Sequence, residues 1–485
     1  MSSDRRGFRV DHSLRLFALI GLLALGCGAA KPPPASIFVI AVDAASAFYF
    51  GAYGDAQGAT PEIDRFAREA VLFEQAYSQS ATTVSSTASL LTGVRVTTHR
   101  MTGRTKLSPK LPTLPELLAA QGFATRGFVA NPFAGAEKLG FARGYAEMVE
   151  VYAVPEVAAK RRLDESVDFV VTLPEDVDQQ VFARLPAIRA DLASGRPVFT
   201  YVHFLQPHKP YDPPAEYLRA FAGAGEPGGW DALHAQFEQA NRTGHADPET
   251  IAQLEARYRA NLRSVDAGIG ALLEKLREEK LYDDSLVVLL ADHGDAFFGH
   301  HQFGHNTTLY DDMVRIPLMM KLPAREGVAP ARVAALVETV DVAATLLDYA
   351  GAPLPAGLEG ESLLPLLRGR TRELAHPEVV MSTQMRDVHA LRVGDYKYIL
   401  RPPQGEELYD LRADPQEQHD LAAAQPERTR AMREQLASLV RPDVGRGAGD
   451  DNRLRDDPRM NELLKELGYV DDRAKPGTGE AAPQP

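Results

Sequence analysis

Two apolar stretches decide the fold: Ser36-Ile-Phe-Val-Ile-Ala-Val42 and Ser285-Leu-Val-Val-Leu-Leu-Ala291. Uninterrupted apolar runs of this length, rich in β-branched residues, are typical of strands that are buried on both faces of a parallel sheet. An acid follows each run directly, Asp43 after the first and Asp292 after the second. Because ligands bind at the carboxyl edge of open α/β sheets, we expect both carboxylates at one functional edge.

The segments around these runs alternate between strand and helix patterns. Apolar residues recur at helical spacing from Pro248 to Lys280, which predicts a long helix packed on the sheet. Near residue 370 short strands replace the βα units, among them a hairpin that turns at Gly394-Asp395. The sequence predicts an α/β fold, with a mixed, mostly parallel sheet sandwiched by helices and a small C-terminal antiparallel subdomain.

The composition limits the functions that are open to the chain. Of 485 residues, 53 are Lys or Arg and 66 are Asp or Glu, so the formal net charge is -13 and nucleic acid is not expected as a partner. Cys27 is the single cysteine of the sequence. Disulfides within the chain, cysteine-based zinc sites and a cysteine nucleophile in the folded body are therefore excluded.

The amino terminus has the pattern of an export signal. Three arginines among the first nine residues precede an apolar run, residues 16–26, that is too short to span a bilayer. Ala24-Leu25-Gly26-Cys27 resembles a bacterial lipoprotein cleavage box. We therefore expect a signal peptide over 1–27, a linker over 28–35 and an exported protein, periplasmic or at the cell surface, that a lipidated Cys27 anchors to a bacterial membrane. The alternative is a plain secretory signal with an incidental cysteine.

Several ordered motifs, together with the two strand ends, resemble the sulfatase family of the alkaline phosphatase superfamily. The resemblance extends from about residue 36 to residue 470 and is carried by Gly51-Ala-Tyr-Gly54, Phe73-Glu-Gln-Ala-Tyr77, Thr83-Val-Ser-Ser-Thr-Ala-Ser-Leu-Leu-Thr-Gly93, Gln206-Pro-His-Lys-Pro-Tyr211, Ala291-Asp-His-Gly294, Phe303-Gly-His-Asn306, Glu407-Leu-Tyr-Asp-Leu411 and Leu467-Gly-Tyr-Val470. It implies an alkaline-phosphatase-like fold, with a catalytic domain over 36–370 and an α+β subdomain over 371–470. The Pro/Gly/Ala-rich residues 471–485 are predicted to be a disordered tail.

The family signature places a nucleophile at Thr83. Sulfatases carry Cys-x-Pro-Ser-Arg before Leu-Thr-Gly, and counting back from Leu91-Thr92-Gly93 aligns Thr83 with the cysteine that becomes formylglycine. Threonine cannot undergo that conversion, so no formylglycine is expected. The resemblance implies that Thr83 forms a covalent ester, which water or another acceptor must then cleave. Ser85 and Thr87 stand where the family has Pro and Arg.

The resemblance also implies one divalent metal ion, bound by Asp43, Thr83, Asp292 and His293. Sulfatases usually carry a second acid after the first, whereas this chain has Ala44. One imidazole among oxygen ligands favours Zn or Mn, while Ca and Mg are possible.

Further histidines are candidates for contact with the substrate. His208 and His305 stand where the family places groups around the substrate oxygens and the leaving group, and imidazole can act there as a donor or a general acid. The alternative for both is a loop histidine that is hydrogen-bonded to backbone. For His203, inside a predicted strand, we favour such a structural role.

Three functions are consistent with the sequence. The first is an exported, sulfatase-like, metal-dependent hydrolase of sulfate or phosphate/phosphonate esters, acting on a small-molecule or a glycan or lipid ester substrate. The second is a phosphoethanolamine- or phosphoglycerol-type transferase with a lipid or glycan acceptor. The third is a non-catalytic lipoprotein that has the sulfatase fold, and Ala44, Ser85 and Thr87 motivate it. The sequence leaves the oligomeric state open.

Overall fold

The computed structural model describes residues 36–440 except 104, 136, 160–161, 165–166, 222–228 and 384–386. The predicted signal peptide with Cys27, the linker and the predicted tail lie outside the described residues. Within the described ranges, no helix combines the length and the apolar character that a bilayer crossing requires.

The strands are numbered in chain order. They are β1 Ser36–Asp43, β2 Val71–Tyr77, β3 Ala124–Val129, β4 Glu147–Glu150, β5 Arg162–Asp164, β6 Val167–Val170, β7 Val198–Pro207, β8 Ser285–Ala291, β9 Ala296–Phe297, β10 Phe303–Gly304, β11 Arg315–Ile316, β12 Leu318–Lys321, β13 Ala331–Glu338, β14 Glu378–Thr383, β15 Val388–Val393, β16 Tyr396–Arg401 and β17 Gly405–Asp410.

The α-helices are numbered in the same way. They are α1 Pro61–Ala67, α2 Thr83–Thr92, α3 Val96–His99, α4 Leu114–Ala120, α5 Pro132–Gly135, α6 Pro155–Ala158, α7 Pro174–Phe182, α8 Leu185–Ala193, α9 Ala215–Leu218, α10 Trp230–Thr243, α11 Pro248–Glu278, α12 Asp311–Val314, α13 Thr339–Ala350, α14 Leu364–Leu367 and α15 Pro426–Leu439. Short 3₁₀ helices cover Ala47–Tyr49, Gly51–Tyr53, Glu137–Leu139, Val151–Ala153 and Ala324–Glu326.

Nine strands of the described chain form the main sheet. Its order is β11-β2-β12-β8-β1-β7-β3-β4, with β13 paired to β2. The pairs of β1 with β7 and with β8 are parallel, as are β3 with β7, β3 with β4, and β13 with β2. The pairs of β12 with β8, β12 with β2 and β11 with β2 are antiparallel. The predicted mixed, mostly parallel sheet is therefore confirmed.

The registers of β1 and β8 place their carboxyl ends together. Ser36 lies opposite Ser285, and the pairing continues in register to Val42 opposite Ala291. Every residue of both strands is buried, as their uninterrupted apolar character predicts. Asp43, the last residue of β1, and Asp292, the residue after β8, therefore lie side by side at one edge of the sheet.

A second sheet lies in the C-terminal part of the described chain. Strands β14 to β17 form an antiparallel sheet in sequential order, which confirms the predicted antiparallel element. One apolar cluster joins this sheet to α15 and includes Tyr398, Met432 and Leu436. Another joins it to the main domain and includes Met313 and Ile399. The small sheet is thus packed on both faces.

A buried ion cluster lies beside the second apolar cluster. Lys397 of β16 is fully buried, and its Nζ lies 2.8 Å from Asp311 Oδ1 of α12 and 2.8 Å from Glu417 Oε1. The backbone N–H of Asp311 also donates to Glu417 Oε2 at 2.6 Å. This cluster ties the C-terminal sheet to a helix that leads toward the edge of the main sheet.

Candidate active site

The carboxyl edge of the main sheet brings together three buried potential ligands. Asp43 is the last residue of β1, and Asp292 and His293 follow β8 directly. One ligand atom from each of the three lies within 4.8 Å of the others. A group of two carboxylates and one imidazole at this spacing fits the coordination of a single divalent cation.

Thr83 joins this group from the first position of α2. Its side chain is fully buried, and its Oγ1 lies 3.1 Å from His293 Nε2 and 3.4 Å from Asp43 Oδ1. The Nδ1–H of His293 donates to the carbonyl of Gly294 at 2.8 Å. In the neutral imidazole that makes this bond, the proton is on Nδ1 and the lone pair of Nε2 faces Thr83 and the carboxylates. All four residues that the resemblance implies as ligands thus lie together.

Neighbouring groups orient the two carboxylates. The Oδ1 of Asp292 accepts hydrogen bonds from the backbone N–H of Ala44 at 3.1 Å and of His293 at 2.8 Å. The Nδ2 of Asn131, a residue that follows β3, donates to Asp43 Oδ2 at 2.5 Å. Asp292 Oδ2 is buried and has no hydrogen-bond partner within the described part of the chain. One oxygen of each carboxylate is therefore fixed by a hydrogen bond from outside the cluster. The other oxygen, Oδ1 of Asp43 or Oδ2 of Asp292, faces the other potential ligands.

The electrostatics of the cluster fit a cation. Burial and the charge of Asp292 raise the pKa of Asp43 well above its ordinary value. Burial opposes ionisation of Asp292 as well, but the neighbouring imidazoles of His293 and His203 and the backbone N–H of Ala44 together outweigh it and lower the pKa of Asp292 below the usual range. Two adjacent buried carboxylates are costly unless a positive charge lies between them. A divalent ion would supply that charge, and the unpartnered Oδ2 of Asp292 is available as its ligand.

His208 and His305 lie next to the cluster. Their ring centroids are 4.9 Å apart, and the ring of His305 is 4.5 Å from that of His293. The Nδ1 of His208 hydrogen-bonds to the carbonyl of Lys209 at 2.6 Å, and the Nδ1 of His305 to Asp295 Oδ1 at 2.9 Å. Burial is the main cause that lowers the pKa of each imidazole. Both side chains are therefore placed to contact a group bound at the cluster.

His203, for which the sequence analysis favoured a structural role, lies beside the cluster. It is fully buried in β7, and its Nε2 lies 3.8 Å from Asp43 Oδ2 and 3.9 Å from Asp292 Oδ2. Neither ring nitrogen has a partner within hydrogen-bond distance among the described residues, which differs from the expected histidine that is hydrogen-bonded to backbone. His203 pairs with Ala41 of β1, two residues before Asp43. Because side chains alternate between the two faces of a sheet, His203 and Asp43 lie on the same face. Once the pairing of β1 with β7 is known, this alternation indicates that His203 is near the site.

Comparison with known families agrees with this geometry. A family model described as Sulfatase matches residues 35–352, which is more than half of the chain. A second model, described as N-sulphoglucosamine sulphohydrolase, C-terminal, matches residues 299–441. The two models together include the strand ends, the α2 region and the C-terminal sheet.

Curated relatives are sulfatases. The chain is 26% identical over 453 residues to the Delta 4,5-hexuronate-2-O-sulfatase of Bacteroides thetaiotaomicron, across 87% of this chain and 91% of that enzyme. It is 32% identical over 216 residues to arylsulfatase K of Rattus norvegicus, across 41% of this chain and 37% of that enzyme. The first alignment therefore extends over nearly the whole of both proteins, and the second over a part.

Solved structures share the fold. A structure described as a complex with its substrate D-glucosamine-2-N,6-O-disulfate superposes with a TM-score of 0.68 at 19% identity, covering 84% of this chain and 97% of that one. The phosphonate monoester hydrolase of Agrobacterium radiobacter gives 0.66 at 21% identity, covering 84% and 95%. The chain thus has the same fold as these enzymes. The chain belongs to the sulfatase family and is a hydrolase of sulfuric or phosphoric esters.

Proposed function

We propose that the chain hydrolyses sulfate or phosphate/phosphonate monoesters through a covalent ester on Thr83. The observation that carries the proposal is the position of the Thr83 hydroxyl, 3.1 Å from Nε2 of His293 and 3.4 Å from Asp43 Oδ1. Thr83 also stands at the first position of a helix, where backbone N–H groups and the helix dipole favour an anionic group. No other residue of the cluster combines a nucleophilic oxygen with that location.

The cation that we propose is held by Asp43, Thr83, Asp292 and His293, with Zn or Mn favoured over Ca or Mg. When bound, such an ion lowers the pKa of the nucleophile and offsets negative charge on the esterified group. Thr83 Oγ1 gives up its proton and forms a bond to sulfur or phosphorus while the bond to the ester oxygen breaks, and the departing alcohol takes up a proton. Water next attacks the same sulfur or phosphorus and breaks its bond to Oγ1, which takes a proton and becomes the threonine hydroxyl again, and sulfate, phosphate or, from a phosphonate monoester, the phosphonate is released.

His208 and His305 are proposed to meet the substrate oxygens and the leaving group. Each ring is fixed through its Nδ1, by the Lys209 carbonyl in one case and by Asp295 in the other. A fixed ring contributes to catalysis because the proton is transferred at a defined position and less rotational freedom is lost on binding. We therefore expect each histidine to affect turnover more than it affects the fold.

The names of the similar proteins support a proposal about the class of substrate. One relative is named for a hexuronate 2-O-sulfate, one structural neighbour is described with a disulfated glucosamine, and another is named a phosphonate monoester hydrolase. We propose a sulfated sugar or a phosphonate monoester as the substrate. A panel of sulfate esters, phosphate monoesters, phosphodiesters and phosphonates, each assayed with Zn, Mn, Ca and Mg, would rank these classes.

The decisive experiment traps the covalent intermediate. After mixing with the best substrate and a rapid acid quench, the peptide that contains Thr83 should carry the mass of the transferred group. Thr83→Ala should abolish turnover and the added mass, whereas Thr82→Ala, which changes the adjacent and equally enclosed threonine, should keep both. A fully active Thr83→Ala variant would overturn the proposal. Turnover that needs an added alcohol acceptor would favour the transferase, and protein that binds none of the four metals would favour the non-catalytic alternative.

We also propose that the protein is exported and anchored through lipidated Cys27. The support is the sequence alone, namely the basic start, the short apolar run and the cleavage-box pattern. Expression with labelled fatty acid should give a labelled, membrane-associated protein. Cys27→Ser should release the protein from the membrane fraction and remove the label, and a labelled Cys27→Ser protein would contradict the proposal.

A further inference from the structure

His203 is a buried imidazole whose ring nitrogens have no partner within hydrogen-bond distance among the described residues. Its side chain is fully buried, and both ring nitrogens lack a hydrogen-bond partner in the described part of the structure. Leaving a buried polar atom unpaired costs about 1–3 kcal/mol. Buried polar groups in native proteins are nearly always satisfied, so two unpaired nitrogens on one ring indicate a partner that is not a protein atom.

The surroundings of His203 indicate what that partner is. Its Nε2 points at two carboxylates, with Asp43 Oδ2 at 3.8 Å and Asp292 Oδ2 at 3.9 Å. Both distances exceed the hydrogen-bond range. They are close to those of His293, an expected ligand, whose Nε2 lies 3.7 Å from the same oxygen of Asp292 and 3.6 Å from the other oxygen of Asp43, Oδ1. The two imidazoles therefore lie at similar distances from the unpartnered Oδ2 of Asp292.

Spacings of this size suit ligands of one ion. Around a tetrahedral zinc with bonds of about 2.0–2.1 Å, ligand atoms lie about 3.3 Å apart, and wider ligand angles give longer separations. The distances of 3.6 to 3.9 Å between the imidazole nitrogens and the carboxylate oxygens are slightly wider than this. An ion bound to Asp292 Oδ2 would come within reach of both imidazoles after a small contraction.

We propose that His203 is a further ligand of the cation, in addition to Asp43, Thr83, Asp292 and His293. This inference rests on the cation site of the proposed function. Ala44 stands where sulfatases usually supply a second acid, and His203 would restore the number of protein ligands with a neutral donor in place of a charged one. Two imidazoles beside two carboxylates favour Zn over Ca or Mg, because nitrogen ligands suit borderline metals while Ca and Mg prefer oxygen.

The experiment counts imidazole ligands in the full-length protein loaded with Zn. X-ray absorption at the Zn edge should give two imidazoles for the natural protein, one for His203→Gln and one for His293→Gln. Titration with Zn should show a loss of affinity of about 100-fold or more in His203→Gln, since even residues that only support a ligand cost 10- to 100-fold. His389→Gln, which removes a histidine of the C-terminal sheet, should leave both readouts unchanged.

The outcomes separate this inference from the proposed function. One imidazole in the natural protein, with bound Zn, would overturn the role of His203 and leave the proposed function intact. The same holds if His203→Gln keeps the imidazole count of the natural protein. Failure of the natural protein to bind Zn, Mn, Ca or Mg would overturn both. The count in the natural protein requires no variant, so the inference stays open to refutation even if His203→Gln does not fold.

Discussion

Lys397→Met is expected to lower the free energy of unfolding by about 4 kcal/mol at pH 7. The lysine is fully buried in β16, and methionine replaces its apolar stem at similar length but removes the ammonium group. Asp311 would then remain buried without its cation. Glu417, whose pKa burial raises to about 8, would lose its hydrogen bond from the ammonium group. The perturbation therefore tests whether this ion cluster holds the C-terminal sheet on the main domain.

The magnitude follows from two contacts. The Nζ of Lys397 lies 2.8 Å from one oxygen of Asp311 and 2.8 Å from one oxygen of Glu417, and hydrogen bonds to charged groups contribute about 1.5–3 kcal/mol each. Removing one partner of a buried ion pair typically costs about 3–5 kcal/mol. Both routes give a value near 4 kcal/mol, which is a large share of the total stability of an ordinary domain.

The effect should depend on pH with a definite sign. Burial alone would raise the pKa of Asp311, but Lys397 outweighs it and holds that pKa below the ordinary value. A carboxyl whose pKa is lowered on folding contributes stability that is complete above its unfolded-state pKa of about 3.9 and is lost as the pH falls through the folded-state value. The difference between the natural protein and Lys397→Met should therefore shrink below about pH 4.

Equilibrium urea unfolding, followed by circular dichroism, measures the difference. Hydrogen exchange should localise the loss of protection to β14–β17. The matched control is Lys275→Met, because Lys275 also pairs with two carboxylates, Glu278 and Glu279, but lies at the surface, where no measurable change is expected. A destabilisation by Lys397→Met of less than about 1 kcal/mol would refute the reasoning, since it would mean that the buried carboxylates do not need the lysine.

Three further predictions test other parts of the structure. Asn131→Ala removes the hydrogen bond to Asp43 and should weaken Zn binding in a titration by about 10- to 100-fold. Burial, and secondarily Glu175, raise the pKa of Asp178 to about 8, so ionisation costs stability as the pH rises from about 4 to 8. Asp178→Asn should therefore be more stable than the natural protein in urea at pH 9, by about 2–5 kcal/mol, with no such gain near pH 4. Gly294→Ala should reduce both stability and Zn affinity, because the added Cβ would lie 2.2 Å from the Asp312 carbonyl oxygen, and unchanged values would show that the loop yields freely.

The strands that carry the site could be predicted from the sequence. The apolar run over 36–42 and the run over 285–291 both form buried strands, and the helical pattern from Pro248 corresponds to α11. Such patterns can be read because burial on both faces demands apolar residues at every position of a strand. The family resemblance added Thr83, and the structure places that residue beside the strand ends.

The remainder of the site depends on the order of the strands in the sheet. The spacing of apolar residues along the sequence does not reveal that order. The sequence does not show that β7 lies next to β1, and without that pairing His203 reads as an interior strand residue. Asn131 follows β3, two strands away from β1, and its contact with Asp43 is equally invisible along the chain. The domain boundaries, the signal peptide and lipidation at Cys27 stay predictions.

The parallel pairing of β1 with β8 has a consequence for how the protein forms. The backbone of Ala44 and the carboxylate of Asp292 are 248 positions apart, yet they share a hydrogen bond at the centre of the site. A chain emerging from the ribosome therefore carries its first acid long before the second is synthesised, and contacts of such sequence separation form late and slowly. A cation at the proposed site would therefore not guide early folding, and its uptake would report that a newly made molecule has matured.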